Sequence, residues 1–147
     1  MSGIISVVLP DSQSERLNHL ARQLNRSQSE TASMLLDEAL RMVDHPHVVF
    51  RNSALGRQAF VSGTGLAVWE MVWLARAYHN EVTAVAGHLE IAPELVEAGL
   101  QYAHHFPQEI EAAIEDQATY DRAKIQAMLP HLEIVTVPDD PDIVEHP

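Results

Sequence analysis

Ile4-Ile5-Ser6-Val7-Val8-Leu9-Pro10-Asp11-Ser12 is the stretch whose reading decides the fold of this chain. A run of β-branched and leucine side chains predicts a short strand, and Pro10 stops it because proline has no N–H to give a ladder. Asp11-Ser12 then offers a helix N-cap, and Leu17, Leu20, Ala21 and Leu24 follow at helical spacing. After Asn25-Arg26, Ser27 or Ser29 can cap a second helix. Its apolar face runs Ala32, Leu35, Leu36, Ala39, Leu40, Val43 and ends before Asp44-His45-Pro46. The order over residues 1–46 is strand, helix, helix.

So short a segment cannot bury enough surface to fold alone, and a lone strand leaves both edges unpaired. Pairing with a second copy answers both problems. With Ile5, Val7 and Leu9 turned toward the helices, two antiparallel strands would form a ribbon over four helices, leaving Ile4, Ser6 and Val8 outward. This pattern resembles the ribbon-helix-helix fold of small bacterial repressors and antitoxins. The resemblance implies that Ile4, Ser6 and Val8 enter the major groove of operator DNA. It further implies that Ser27, Gln28 and Ser29 hold a phosphate at the helix start. Family members usually place arginine, lysine, threonine or asparagine on the outward strand positions, whereas Ile4 and Val8 carry no hydrogen-bonding group.

The next segment, 47–117, holds two β-prone pieces, Val48-Val49-Phe50 and Ala59-Phe60-Val61, which predict a hairpin around residues 53–57. Gly63-Thr64-Gly65 breaks the chain before a helix carrying Val68, Trp69, Val72, Trp73, Ala75 and Ala77. A short helix is expected over 82–88 and another from Pro93 with Leu95, Val96, Gly99, Leu100 and Ala103 on one face. Trp69 and Trp73, one turn apart beside Val68 and Val72, read as core. A hairpin and three compact helices suggest a small winged-helix-like or helix-turn-helix-like bundle. The helix from Pro93 carries Glu94 and Glu97 and no basic residue, so its insertion into a DNA groove would be repulsive and the module is expected to bind protein, or itself, rather than DNA.

The wording Gly56-Arg57-Gln58-Ala59-Phe60-Val61-Ser62-Gly63-Thr64-Gly65-Leu66-Ala67-Val68-Trp69 resembles the bacterial family catalogued as domain of unknown function 433. So does the later run from Leu89 through Glu94-Leu95-Val96-Glu97-Ala98-Gly99-Leu100-Gln101-Tyr102-Ala103. The chain departs from that family's pattern at Gly65, where arginine is usual, and at Ala67, where proline is usual. Such proteins are commonly antitoxins of VapB type, encoded beside a toxin with a PIN-like ribonuclease fold.

Residues 118–147 complete the chain. Pro107 opens a long helix with Ile110, Ala113, Ile114, Ala118, Ile125 and Leu129, which Pro130 ends. Leu132-Glu133-Ile134-Val135-Thr136-Val137 reads as a strand, and Pro138-Asp139-Asp140-Pro141 starts an acidic tail. That strand can add to a foreign sheet edge or pack on the chain's own hairpin. The candidate toxin-binding residues are Arg122, Lys124, Leu132, Ile134, Val135 and Val137. The two cations are placed on nearly the same side of a fraying helix end, where either could enter a carboxylate-lined nuclease site.

Composition bounds the rest. The chain has 147 residues, 46% hydrophobic and 20% charged, which suits one ordinary domain or two very small ones and rules out fibrous and wholly disordered classes. Its net charge of -12 argues against general attraction to nucleic acid or an anionic membrane. Cysteine is absent, so there is no disulfide framework, thiol nucleophile or thiolate metal site. The start lacks the pattern of a secretory signal, and a cytoplasmic location is expected. The nine histidines include His45-Pro46-His47 and His104-His105 but no HExxH, so neither a metal site nor a cofactor is expected. No catalytic constellation is recognisable, so no enzyme is expected. The expectation is a mainly α, homodimeric or higher-order antitoxin. Its modules are 1–46, 47–117 and 118–147; its partners are a PIN-like toxin and, through autorepression, operator DNA. A stand-alone ribbon-helix-helix repressor and a non-DNA-binding oligomeric adaptor are the competing functions.

Overall fold

The computed structural model describes residues 3–131. The strand expected over Leu132–Val137, with Leu132, Ile134, Val135 and Val137, lies outside the described residues. Six helices and one hairpin follow in order: α1 (Asp11–Gln23), α2 (Gln28–Asp44), β1 (Val48–Ser53), β2 (Gly56–Val61), α3 (Val68–Ala77), α4 (Val82–Leu89), α5 (Pro93–His105) and α6 (Pro107–Met128). The molecule is mainly helical, as its periodicity predicts.

Helix α1 begins after Pro10, which holds the N-cap position without a side-chain hydrogen bond, so Asp11 and Ser12 lie within the first turn rather than capping it. Asn25, at φ 53°, takes the left-handed conformation that turns the chain into α2, a role asparagine fills at low cost. Ser27 caps α2, its Oγ accepting from the Glu30 N–H at 3.0 Å. The strands pair antiparallel with Val48 opposite Val61 and Ser53 opposite Gly56, so Ala54-Leu55 form a two-residue turn. Thr64 Oγ1 donates to the Val61 carbonyl at 2.8 Å and accepts from the Leu66 N–H at 3.1 Å, folding the glycine loop onto α3. Gly65 sits there at φ 70° in open space, so an arginine at this position would be strained by backbone and not by a clash.

Most of the core lies between the hairpin and α3–α6. Val48, Val61, Val68, Met71, Val85, Val96 and Tyr102 are fully buried, with Ile110 of α6 closing one side. Gly99 is where α5 comes closest: a Cβ built there would stand 2.6 Å from Met71 Sδ and 3.2 Å from Val61 Cγ2. Helix α6 runs unbroken across residues 117 and 118, so the start of the C-terminal segment is one piece with the helix that packs on α3. Among the described residues, no helix is long and apolar enough to cross a membrane.

Candidate functional site

The N-terminal stretch Ile4–Leu9 forms no strand in the single chain, since a ladder needs a second strand and the described residues provide none. Its alternation is nonetheless present. Ile4 and Val8 are 99% and 97% exposed, whereas Ile5, Val7 and Leu9 are 82%, 72% and 38% exposed. Ile5 and Val7, expected to face the helices, thus remain exposed in the single chain. Helix α1 and Leu35 of α2 line a cleft of about 830 Å³ that includes Arg16, Leu17, Leu20 and Gln23.

Helix α2 divides its surface between two uses. Leu36, Leu40 and Val43 of its apolar face are exposed, with the rest of that face turned away from the core of the chain. The opposite stripe, Met34, Glu38, Arg41 and His45, meets the hairpin, α5 and α6. These four positions recur at intervals of three and four residues, so they share one side of the helix.

Glu38, 6% exposed, receives a forked pair from Arg57 of β2, with Nε at 3.0 Å from both carboxylate oxygens and Nη2 at 2.8 Å from Oε1. Arg57 also donates from Nη1 to Asn52 Oδ1 at 3.2 Å. One turn on, Arg41 Nη1 donates to Tyr102 Oη at 2.9 Å and to Glu109 Oε1 at 2.8 Å, while the Tyr102 hydroxyl donates to Glu109 Oε2 at 2.6 Å. The guanidinium lies 4.0 Å over the Phe106 ring. Its Nε is 3.0 Å from Asp37 Oδ2, close enough for an ion pair but at an angle that makes no hydrogen bond. Burial works against the Arg41 charge, yet the bonds to Tyr102 and Glu109 outweigh it and raise its pKa. Burial, reinforced by Glu109, also pushes the Tyr102 hydroxyl well above its ordinary value and keeps it a neutral donor.

His45 caps the end of α2, and its Nε2 lies 3.0 Å from His105 Nδ1, one ring donating and the other accepting. Burial and then the neighbouring His105 lower the His45 pKa from 6.5, which leaves the ring neutral. Among the described residues no group of three or more histidine, cysteine, aspartate or glutamate side chains could hold a metal ion.

The second half of α6 stands clear of the body: every residue from Ala118 to Leu129 is exposed, among them Ile125, Met128 and Leu129. Helix continues through Met128, so Arg122 and Lys124 are not on nearly the same side. Two residues apart, they diverge by about 160° around the axis. They flank the stripe Ile114, Ala118, Ile125 on opposite sides. Alongside, α3 and α6 enclose a groove of about 540 Å³ lined by Leu66, Trp69, Trp73, Leu74, Ile114 and Ala118. Trp73, read from sequence as core, is 63% exposed on its wall. Trp69 is half-buried, and its Nε1 donates to Gln58 Oε1 at 3.3 Å.

Of the site residues expected from sequence, Ser27, Gln28 and Ser29 come together at the α2 start. Ile4, Ser6 and Val8 lie on the exposed N-terminal stretch, and Arg122 and Lys124 lie on the free part of α6. Neither Glu38 nor Arg41 belongs to a motif in the sequence, and His45 enters the sequence reading only among the histidines from which no metal site is expected. The available signal was the three-and-four spacing of Glu38, Arg41 and His45, which reads as a solvated stripe until Arg57 and Tyr102 are known to face it. No family model matches the chain, no curated protein is similar to it, and no solved structure matches it.

Proposed function

We propose that the chain is an antitoxin: a dimer joined through its N-terminal ribbon that binds and neutralises a PIN-like ribonuclease through its C-terminal segment and represses its own operon. The observation that carries this reading is the exposed apolar set of the first 44 residues. Ile5, Val7 and Leu9, the α1 cleft, and Leu36, Leu40 and Val43 are surfaces that a second copy of a ribbon-helix-helix module would cover. The hairpin and α3–α5 serve as a winged-helix-like body to which that module is fastened by Glu38 and Arg41.

The capped start of α2 supports phosphate contact. Ser27 takes up the Glu30 N–H, and the Gln28 and Ser29 N–H groups have no acceptor among the described residues. Base reading falls to Ser6, because Ile4 and Val8 have no donor or acceptor. That paucity also favours a second reading, an oligomeric adaptor without sequence-specific DNA binding. For the toxin, exposed Arg122 and Lys124 are the cations available to enter a cluster of metal-binding carboxylates, and only one can enter a given cleft. Leu132, Ile134, Val135 and Val137 would supply the strand that adds to its sheet.

The test is co-expression with the product of the adjacent reading frame, scored by growth and by recovery of the complex. Full-length chain should protect, and a chain ending at residue 117 should stay dimeric and fail to protect. A truncated chain that still rescues and co-purifies would move the toxin contact to residues 3–117. A companion mobility-shift series on the upstream DNA should show weak, steeply salt-dependent binding by the chain alone; no binding at low salt would leave the adaptor.

A further inference from the structure

The exposed half of α6 carries Ile125, Met128 and Leu129 on its surface, and it adjoins the groove beside Trp73, whose lining is mainly apolar; among the described residues neither is covered. We propose that they cover each other between two copies of the chain, the α6 of one copy lying antiparallel along the α3–α6 groove of the other. This contact is separate from the N-terminal ribbon and does not depend on the toxin reading.

Geometry supplies the first argument. At about 100° per residue, Ile114, Ala118, Asp121 and Ile125 form one stripe along α6. Its early part lines the groove and its later part is free. In an antiparallel pair centred between residues 119 and 120, Ile125 of one copy meets Ile114 of the other, and Ala118 meets Asp121. Met128 of each copy then reaches into the groove toward Trp73, where a flexible thioether fits an irregular aromatic wall. Among the described residues a single chain offers its own groove nothing of this kind, because the free part of a continuous helix points away from its first part.

Charge decides the direction and the occupant. Residues 107–117 of α6 carry Glu109, Glu111, Glu115 and Asp116 and no cation, whereas 118–128 carry Arg122 and Lys124 against Asp121 alone. Glu109 is already paired with Arg41 and Glu111 with Arg76, which leaves Glu115 and Asp116 as the acids of that start with no cation beside them among the described residues. Parallel helices would stack these on each other, whereas antiparallel helices bring the cationic end of each toward them. Glu115 and Arg122 lie on the same flank of the stripe, so the two-fold pair makes two Glu115–Arg122 contacts, one at each end. Glu70 and Asp121 on the groove lining add to the preference for a cationic visitor. Lys124, on the other flank, stays outside these two pairs.

The chain is free of cysteine, so engineered thiols report the contact directly. Mixed under mild oxidation, differently tagged Ala118→Cys and Asp121→Cys proteins should form a disulfide with each other, while Thr119→Cys, on the far side of the helix, should not. In sedimentation, Ile125→Asp or Trp73→Ala in a chain lacking residues 1–10 should leave monomer, whereas the N-terminal deletion alone should leave a dimer. Both substituted side chains are exposed, so the far-ultraviolet spectrum should be unchanged. Arg122→Glu should weaken association about tenfold, and adding Glu115→Arg should restore it. The proposal is overturned if the 118–121 disulfide forms no faster than the Thr119 control, or if the deleted chain is already monomeric. It is also overturned if ending the chain at residue 131 creates a dimer that the full chain lacks, since the chain's own end would then fill the groove.

Discussion

Helices α1 and α2 and the body formed by the hairpin with α3–α6 are built from the same kind of amphipathic sequence, yet they end differently. In the body, Val68, Met71, Val72 and Ala75 of α3 and Val96, Gly99 and Tyr102 of α5 are buried, because each helix finds the other and the hairpin within the chain. In the first two helices only Ala21, Thr31 and Glu38 are buried, while Leu36, Leu40 and Val43 face out. An apolar stripe states which side of a helix gains by leaving water, and not whether the cover comes from the same molecule. Helix α2 fastens to the body by the reverse face, through Glu38, Arg41 and His45. The body is held by packing; the joint is held by hydrogen bonds and charge.

Breaking the joint is expected to have the largest effect. Arg57→Ala would leave the Glu38 carboxylate buried with its forked partner gone, and removing one member of a buried pair costs about 3 kcal/mol. Urea unfolding should show that loss, and in the variant α1 and α2 should exchange amide hydrogens ahead of α3 and α5. A single cooperative transition at wild-type stability would mean that the forked pair does not hold the two regions together.

Overfilling the body comes next. Gly99→Ala places a methyl against Met71 Sδ and Val61 Cγ2, and the fully buried Met71 must shift to admit it, which should cost about 2 kcal/mol. The same measurement sharpens the contrast, since Ala39→Val on the exposed side of α2 adds volume where there is room and should change little in a chain lacking residues 1–10.

A smaller effect is expected from acid. The His45 pKa is lowered in the folded chain, so as pH falls below 6.5 the unfolded state takes up a proton that the folded state refuses. The stability tied to a neutral His45 is complete above 6.5 and declines as pH drops toward its folded value. Melting temperature should therefore fall between pH 7.5 and 5.5 more steeply in the wild type than in His45→Phe. Equal slopes would show that protonation at His45 is not resisted by the joint.

Much of the fold was legible in the sequence because its punctuation is local. Pro10, Ser27, Gly63-Thr64-Gly65, Pro93 and Pro107 each act within a few residues, and the helices between them start and stop close to where those signals fall. The joint was not legible, because Glu38 meets Arg57 across 19 positions and Arg41 meets Tyr102 across 61. Spacing within a helix does not reveal a partner that far along the chain. Trp73 misled for a related reason. Its neighbours Val72 and Met71 are buried, but at the next position around α3 the described residues provide no further element to cover an indole. Arg122 and Lys124 were paired on the premise of a frayed helix end, and a helix intact to Met128 separates them.

The smallest effect expected is also the one that most directly separates the two regions. Leu40→Ser removes a large apolar side chain from α2, a change that in the body, at Met71 for example, would cost about 2–5 kcal/mol. Leu40 is exposed in the single chain, so in a protein lacking residues 1–10 its replacement should alter unfolding free energy by no more than about 0.5 kcal/mol. If the proposed ribbon dimer forms, the same substitution in the full-length chain should shift the concentration at which it dissociates, because a second copy would then supply the cover that the described residues lack. Chemical denaturation of both forms at two protein concentrations reads the two numbers separately. A large loss in the truncated form would place Leu40 in a core of its own chain. No loss in either form would remove α2 from the dimer surface and take the ribbon arrangement with it.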